Sequence, residues 1–233
     1  MIFKAWTYNI RIGIETSLAD VAAATVAAGV PDLLALQEVG VRWCMGECVD
    51  QPAVLGAAVG LAHHAFAGAL LHTRGGRFGV ALLSRWPLEA VQTTNLPRGV
   101  DEQRVILRAR VLAPTPFVAL VTHLSVQPEE RLAQAAQLAL AVAAEQDPVV
   151  VLGDFNDLPG SPVVATACAG LTDCFDARGE GEAVTFSVRD PHRRIDYIAC
   201  GQGLQPAGPA RVLRTVCASD HFPLEAMLGD GVG

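Results

Sequence analysis

The 233-residue sequence has no G-x-S-x-G elbow for a serine nucleophile, no Walker loop for a nucleoside triphosphate and no C-x-x-C pair for zinc. Its six cysteines are scattered and read as free thiols of a reducing compartment, although Cys44 and Cys48 lie close enough to pair in one loop. Charge is scarce: 18% of residues are charged and 51% hydrophobic, which excludes a disordered or solvating chain. There is no internal repeat, low-complexity tract or linker, so one sizeable core, a single domain over residues 1–233, is expected. Met1 to Lys4 shows no charged head and apolar middle of an export signal, and a cytoplasmic protein is expected. The most apolar stretch, Ala53 to Leu71, is broken by glycines and by His63 and His64. It reads as a helix and then a strand, not as a membrane span. With 17 basic and 24 acidic residues the net charge is −7, which disfavours a charge-driven grip on nucleic acid unless a basic lip or a bound cation reverses the field locally.

What is present is a mixture of strand and helix signals. Strands are expected at Phe3–Ile10, Leu33–Val39, Phe78–Ser84, Arg104–Leu112, Pro116–Leu124, Val149–Leu152, Ile195–Cys200, Ala210–Val216 and Phe222–Leu228. Ser17-Leu-Ala-Asp20 has the form of a capping box before an Ala-rich helix that ends at Gly29–Pro31. A second helix is expected over Asp50–Leu61. A third opens at Pro128, with Glu129 and Glu130 in its first turn and Leu132, Ala135, Ala139 and Val142 facing inward. A short one lies near Ser161–Ala169. Strands outnumber helices and some follow one another directly. This argues against a doubly wound parallel sheet and for two sheets packed face to face with helices outside.

The stretch "VVVLGDFNDLP", Val149 to Pro159, holds the chemical interest. Three β-branched residues suit a strand covered on both faces, and it ends on Asp154 and Asn156. Alone, the stretch is explained by turn chemistry, with Gly153 and Pro159 as punctuation. Yet polar residues recur at other strand ends: Asn9, Glu38, His123, Asp196 within "RRIDYI", and Asp220-His221 before the last strand. Singly each has an ordinary explanation, such as a turn cap, a core histidine, or an ion pair of Asp196 with Arg193 or Arg194. Together they are hard oxygen ligands that select Mg²⁺ or Mn²⁺, with histidines suited to stabilising charge on phosphoryl oxygens.

The ordered motifs "TYNIR", "LALQEV", "FGVALLSR", "LVTHL", "VVLGDFND", "RRIDYI" and "SDHFPL" resemble the endonuclease/exonuclease/phosphatase superfamily, from Thr7 to Leu224. The resemblance implies a deoxyribonuclease I-like α/β fold, a four-layer sandwich of two mixed sheets with helices outside. It implies Glu38 as principal Mg²⁺ ligand (Mn²⁺ as the alternative ion), with Asn9 and Asp220 completing the metal region. Asp154 and Asn156 would hold the attacking water and the phosphate, His123 a phosphoryl oxygen, and Asp196 would orient His221; Arg104 would lie near the phosphate. Either His221 or Asp154 would take the proton from water. Arg11 stands where abasic-site endonucleases carry an acid, and is either a surface charge or a phosphate contact. The implied activity is hydrolysis of a phosphomonoester or phosphodiester, with nucleic acid or a small molecule or lipid headgroup as substrate. Arg42, Trp43, Arg74, Arg77, Arg85 and Trp86 are candidates for a nuclease groove, with scattered surface charge as the simpler reading. A catalytically inactive member that binds nucleic acid or protein is the alternative reading.

Overall fold

Two-residue periodicity in the strands decides which side chains meet. In the computed structural model, which describes residues 1–231, β1 (Ile2–Asn9) is followed by α1 (Leu18–Ala28), β2 (Leu33–Val41), α2 (Gln51–Val59), β3 (His63–Leu71) and β4 (Arg77–Ser84). Next come β5 (Leu88–Asn95), β6 (Val105–Val111), β7 (Phe117–His123), α3 (Pro128–Ala143), β8 (Val149–Asp154) and α4 (Pro162–Ala167). The chain closes with β9 (Thr172–Asp173), α5 (Cys174–Arg178), β10 (Asp196–Gly201), β11 (Leu204–Val212) and β12 (Leu224–Asp230). One sheet has the order β11-β12-β1-β2-β4-β3 and the other β5-β6-β7-β8-β10-β9. Each contains one parallel pair, β1 with β2 and β7 with β8, joined through α1 and α3; the other pairings are antiparallel.

Three buried clusters mark the interfaces between four layers. Phe3, Ala5, Leu33 and Ala35 meet Phe117, Ala119, Val150, Leu152 and Ile198 between the sheets. Trp6, Tyr8, Leu34 and Leu36 pack on α1 and α2. Val118, Leu120, Val149 and Val151 pack on α3 and α4. The helices therefore lie outside, as the sequence predicts. Among the described residues no helix is long and apolar enough to cross a membrane.

The capping box forms as read: the Asp20 N–H donates to Ser17 Oγ and the Ser17 N–H to Asp20 Oδ2, both at 3.1 Å. Four details differ from expectation. The last-but-one strand is β11, over Leu204–Val212 rather than Ala210–Val216. Pro206 and Pro209 hide it in the sequence, and they are accommodated because β11 is an edge strand with a register shift between Pro206 and Ala210. β5 was not anticipated; all but its first residue are exposed, so it shows no apolar alternation. In α3, Leu132 is 43% exposed, and Leu138 takes the inward place beside Ala135 and Val142.

Gly153 is the fourth. It is not a turn residue but a buried position inside β8, where an added Cβ would lie 2.3 Å from the Thr122 carbonyl oxygen of β7. Glycine is required there by the close approach of the neighbouring backbone. Gly153→Ala is expected to destabilise the fold by about 1–3 kcal/mol, as over-packing does, measured as a shift of the urea midpoint at unchanged slope.

Candidate active site

The strands that carry the polar residues all end at one rim of the sandwich. Asn9, Glu38, His123 and Asp154 lie at or near the carboxyl ends of the two parallel pairs. β10 runs antiparallel to β8 with Asp196 opposite Asp154, and β12 runs antiparallel to β1 with Leu224 opposite Thr7. This brings the starts of β10 and β12, hence Asp196 and Asp220-His221, to the same rim.

Phase along the strands aims the side chains. In β1, Phe3 and Ala5 face the other sheet, and Asn9 continues that phase. The same holds for His123 after Phe117, Ala119 and Val121, for Asp154 after Val150 and Leu152, and for Asp196 before Ile198 and Cys200. Glu38 breaks the phase and needs a device. The register of β2 against β4 shifts between Gln37 and Val39, and Glu38 sits in that bulge at φ +53°. In regular register Glu38 would follow Leu34 and Leu36 toward the helices; the bulge turns it into the site cavity. Asn156 is held at φ +53° as well, a conformation asparagine tolerates better than glutamate does.

Two contacts tie the sheets together at this rim, Asn9 with Asp154 and His221 with Asp196, while a third joins Asn9 to Glu38 within one sheet. Asn9 Nδ2 donates to Glu38 Oε1 at 3.0 Å and to Asp154 Oδ2 at 3.2 Å. His221 Nδ1 lies 2.9 Å from Asp196 Oδ2. His221 Nε2 and His123 Nε2 flank Asp154 Oδ2 at 3.6 and 3.5 Å, too long for direct hydrogen bonds. Glu38 is thus joined to His221 through Asn9 and Asp154 by contacts each under 4 Å. A cavity of about 400 Å³ is lined by Arg11, Glu38, Arg104, His123, Asp154, Asn156, Asp220 and His221 among others, so all nine predicted site residues meet here, Asn9 and Asp196 from behind the wall.

Electrostatics separates the two histidines. Burial, then the neighbouring Arg104 and His221 charges, hold His123 well below the ordinary imidazole range, so its ring is neutral. For His221 burial opposes the charged ring, but the bonded Asp196 carboxylate, with Asp154 and Asp220, outweighs it and raises the pKa to about 9. Asp196 Oδ1 is buried without a partner, leaving that carboxylate's charge uncompensated except by His221. Asp196 therefore does not pair with Arg193 or Arg194. Arg194 binds Asp173 and Asp176, and the Arg193 guanidinium lies 4.5 Å from the centre of the Phe186 ring.

Arg104 acts on His123. Its Nη1 stands 2.9 Å from His123 Nδ1, and a guanidinium only donates. Nδ1 is thereby assigned as acceptor, and the single proton of the neutral ring falls on Nε2, facing the cavity. Asn156 Nδ2 donates to the Leu124 carbonyl at 2.9 Å and stands 3.1 Å from that Nε2. With Nε2 protonated these are two donors 3.1 Å apart with no hydrogen bond between them, an approach that an anionic oxygen accepting from both relieves. For the hydrolysis that the sequence resemblance implies, Arg104→Met is expected to lower kcat by about ten- to a hundredfold, the scale for losing an orienting partner, with Arg104→Lys restoring part of it. Equal kcat in wild type and Arg104→Met would refute the tautomer assignment.

The donor set suits a hard divalent cation. Glu38, Asp154 and Asp220 present carboxylates to one cavity. Burial, then the charge of Asp196, pushes Asp154 up to about 7 against the pull of His221 and the N–H groups of Asn156 and Asn9. A divalent cation relieves such crowding of carboxylates. Asn9 Oδ1 accepts the Arg11 N–H at 3.1 Å and keeps one lone pair for a cation. The tighter trio of Asp154, Asp196 and His221, with ligand atoms within 4.8 Å of one another, is a hydrogen-bonded relay, since Asp196 Oδ2 and His221 Nδ1 occupy each other.

Arg11 belongs to the site. At φ +45° its guanidinium meets Glu15 and lies 3.4 Å from Asp220 Oδ2. Of the groove candidates, Arg42, Trp43 and Arg74 lie at this rim. Arg77 stacks on Phe66 at 5.3 Å, Arg85 pairs with Asp32, and Trp86 packs edge-on against Phe3 at the opposite end of β4. Sequence reasoning missed Thr185 and Phe186. Thr185 Oγ1 accepts the backbone N–H groups of Ile195 and Asp196, and Phe186 packs its ring 4.8 Å from that of His221. Neither titrates, so nothing in "AVTFSV" marks them.

A model of the Endonuclease/Exonuclease/phosphatase family matches residues 6–221. The chain is 34% identical over 160 residues to YbhP of Escherichia coli K12, covering 65% of this chain and 62% of the relative, so it spans about three-fifths of that protein's length. A solved endonuclease/exonuclease/phosphatase structure from Beutenbergia cavernae superposes with a TM-score of 0.80 at 24% identity, over 99% of this chain and 72% of that one. The mannosyl-6-phosphatase Bt3783 of Bacteroides thetaiotaomicron superposes with a TM-score of 0.76 at 14% identity, over 97% and 99%. At such identities the two structures establish the fold.

Proposed function

We propose that this chain, which belongs to the endonuclease/exonuclease/phosphatase family, hydrolyses phosphomonoester or phosphodiester bonds with the aid of Mg²⁺ or Mn²⁺. The observation that carries the reading is the convergence on Asp154 Oδ2 of the Asn9 amide and two imidazoles, one neutral and one held by a buried carboxylate. Glu38 and Asp220, with the free lone pair of Asn9 Oδ1, would hold the cation, which when bound neutralises charge building on the phosphoryl oxygens. His123 Nε2–H and Asn156 Nδ2–H donate to one nonbridging oxygen. Asp154, fixed by the Asn9 amide and by the Asn156 N–H on its Oδ1 at 2.9 Å, orients a water for in-line attack. Asp196 keeps the His221 Nδ1 proton in place, so that Nε2 faces the reacting centre.

The test is a panel of phosphomonoesters and phosphodiesters with Mg²⁺, with Mn²⁺ and with EDTA. Turnover of at least one ester, lost in EDTA and restored by either cation, is the expected result. Absence of turnover throughout, or turnover indifferent to EDTA, would overturn the proposal.

A further inference from the structure

Beside the catalytic cavity lies a second one, of about 250 Å³, and the two share Arg11, Glu38 and Arg104 in their walls. Its remaining lining is almost wholly apolar: Ile12, Ile14, Trp43, Met45, Leu70 and Phe78, with Glu102 the exception. Trp43 is set by its neighbours. Its ring centre is 5.6 Å from that of Phe78 at 36°, and 5.8 Å from that of His72 at 81°. Glu38 in its bulge and Arg42, both at positive φ, bracket the last three paired residues of β2, and the second of these turns leads directly to Trp43. A half-buried tryptophan opening onto a hydrolytic site presents a stacking face to whatever the phosphate carries.

Size, wall chemistry and charge narrow the occupant. The cavity is slightly below the roughly 300 Å³ at which pockets for drug-sized ligands begin, which suits one ring system and not a base pair. An acyl chain asks for a long aliphatic trough, whereas this cavity is short and two of its walls are aromatic. Outside the cavity's own lining, Arg42 directly precedes Trp43, and Arg74 lies two residues after His72 in the β3–β4 turn, His72 being the ring that packs edge-on to Trp43. Both arginines are exposed, and neither has a carboxylate partner among the described residues. Cations without partners next to a stacking ring complement a second phosphate one unit along from the scissile one. A net charge of −7 speaks against a long duplex grip.

We infer that Trp43 and Phe78 form a stacking subsite for a nucleobase, and that the ester hydrolysed at the neighbouring cavity is a phosphodiester of single-stranded nucleic acid. The inference rests on the phosphoesterase reading for the second half of that statement and on the cavity alone for the first. The base lies flat on the indole, the scissile phosphate reaches His123 and Asn156, and the following phosphate meets Arg42 and Arg74.

Calorimetric titration in EDTA, where cation-dependent turnover is absent, tests the subsite without catalysis. The probes are a four-nucleotide deoxyadenylate, adenosine 5′-monophosphate and glycerol phosphate, against wild type, Trp43→Leu and Trp43→Phe. The oligonucleotide is expected to bind most tightly and glycerol phosphate most weakly. Trp43→Leu should weaken oligonucleotide binding by about tenfold or more, the scale of one base–aromatic stack, and Trp43→Phe should retain most of it. Glycerol phosphate binding as well as the oligonucleotide, or Trp43→Leu leaving oligonucleotide affinity unchanged in a folded protein, would overturn the subsite. Preference for the mononucleotide over the oligonucleotide would overturn the single-strand assignment. The same probes with Mg²⁺ separate the two proposals: base-dependent binding without cleavage of any ester refutes the hydrolase, and cleavage indifferent to the base refutes the subsite.

Discussion

His221→Asn should lower phosphoester turnover by about 10² to 10⁴-fold, the range for removing a positioned proton-transfer or charge-stabilising group. Asparagine is the informative replacement because of Asp196. That carboxylate is fully buried, one oxygen has no partner, and the other is held only by His221 Nδ1. An alanine would leave a buried charge unpaired, at about 3–5 kcal/mol, and an inactive protein could then simply be an unfolded one. An asparagine amide can still donate toward Asp196 Oδ2, so the thermal midpoint should stay near that of wild type while kcat collapses. Asp196→Asn should produce a loss of similar order by releasing the ring's orientation. The double variant should be little worse than either single one, because the two residues act as a unit. A His221→Asn enzyme keeping more than about a third of wild-type turnover would remove the histidine from the chemistry.

Glu38→Gln has the second large effect, read in cation binding. The carboxylate lies in the cavity wall with one oxygen accepting from Asn9, and a glutamine oxygen can take over that bond. The substitution therefore removes one negative charge and little else. Affinity for Mg²⁺ and Mn²⁺, titrated by calorimetry, should fall at least about tenfold, since ligand charge sets affinity for hard cations. Glu38→Gly makes the complementary point. The residue sits at φ +53°, where a non-glycine side chain carries about 1–3 kcal/mol of strain. Glycine relieves that strain, so the urea midpoint should hold or rise as cation binding disappears. Undiminished cation affinity in both variants would show that the bulge has some other purpose.

Much of this was readable in the residues. The order of strands and helices, the Ser17 capping box, the Pro128 helix start and the meeting of polar strand ends follow from period, caps and charge placement. Once β1, β7, β8 and β10 are read as strands, the inward phase of Asn9, His123, Asp154 and Asp196 follows from counting by twos. What could not be read has physical reasons. β5 buries almost nothing, and β11 carries two prolines that only an edge position tolerates. The bulge at Glu38 inserts a residue without a glycine to announce it, so counting along β2 aims Glu38 at the wrong face. Gly153 looked like punctuation because a sequence does not reveal how near β7 runs. The resemblance implies a phosphate contact for Arg104; its approach to His123 is a distance that no motif encodes.

One sheet supplies Asn9, Glu38, Asp220 and His221, and the other His123, Asp154, Asn156 and Asp196. The proposed cation donors lie on one sheet and the proposed phosphoryl donors on the other, so the reacting geometry works as a caliper whose jaws are the sheets and whose spacing is set by the side chains stacked between them. Phe3 and Phe117, with ring centres 4.8 Å apart, are part of that spacer although they touch no reacting group. Shaving a methylene or a ring from deep in the sandwich would thus reach the chemistry as a mismatch between jaws, and kcat would register slippage of one slab over the other well before the molecule came apart.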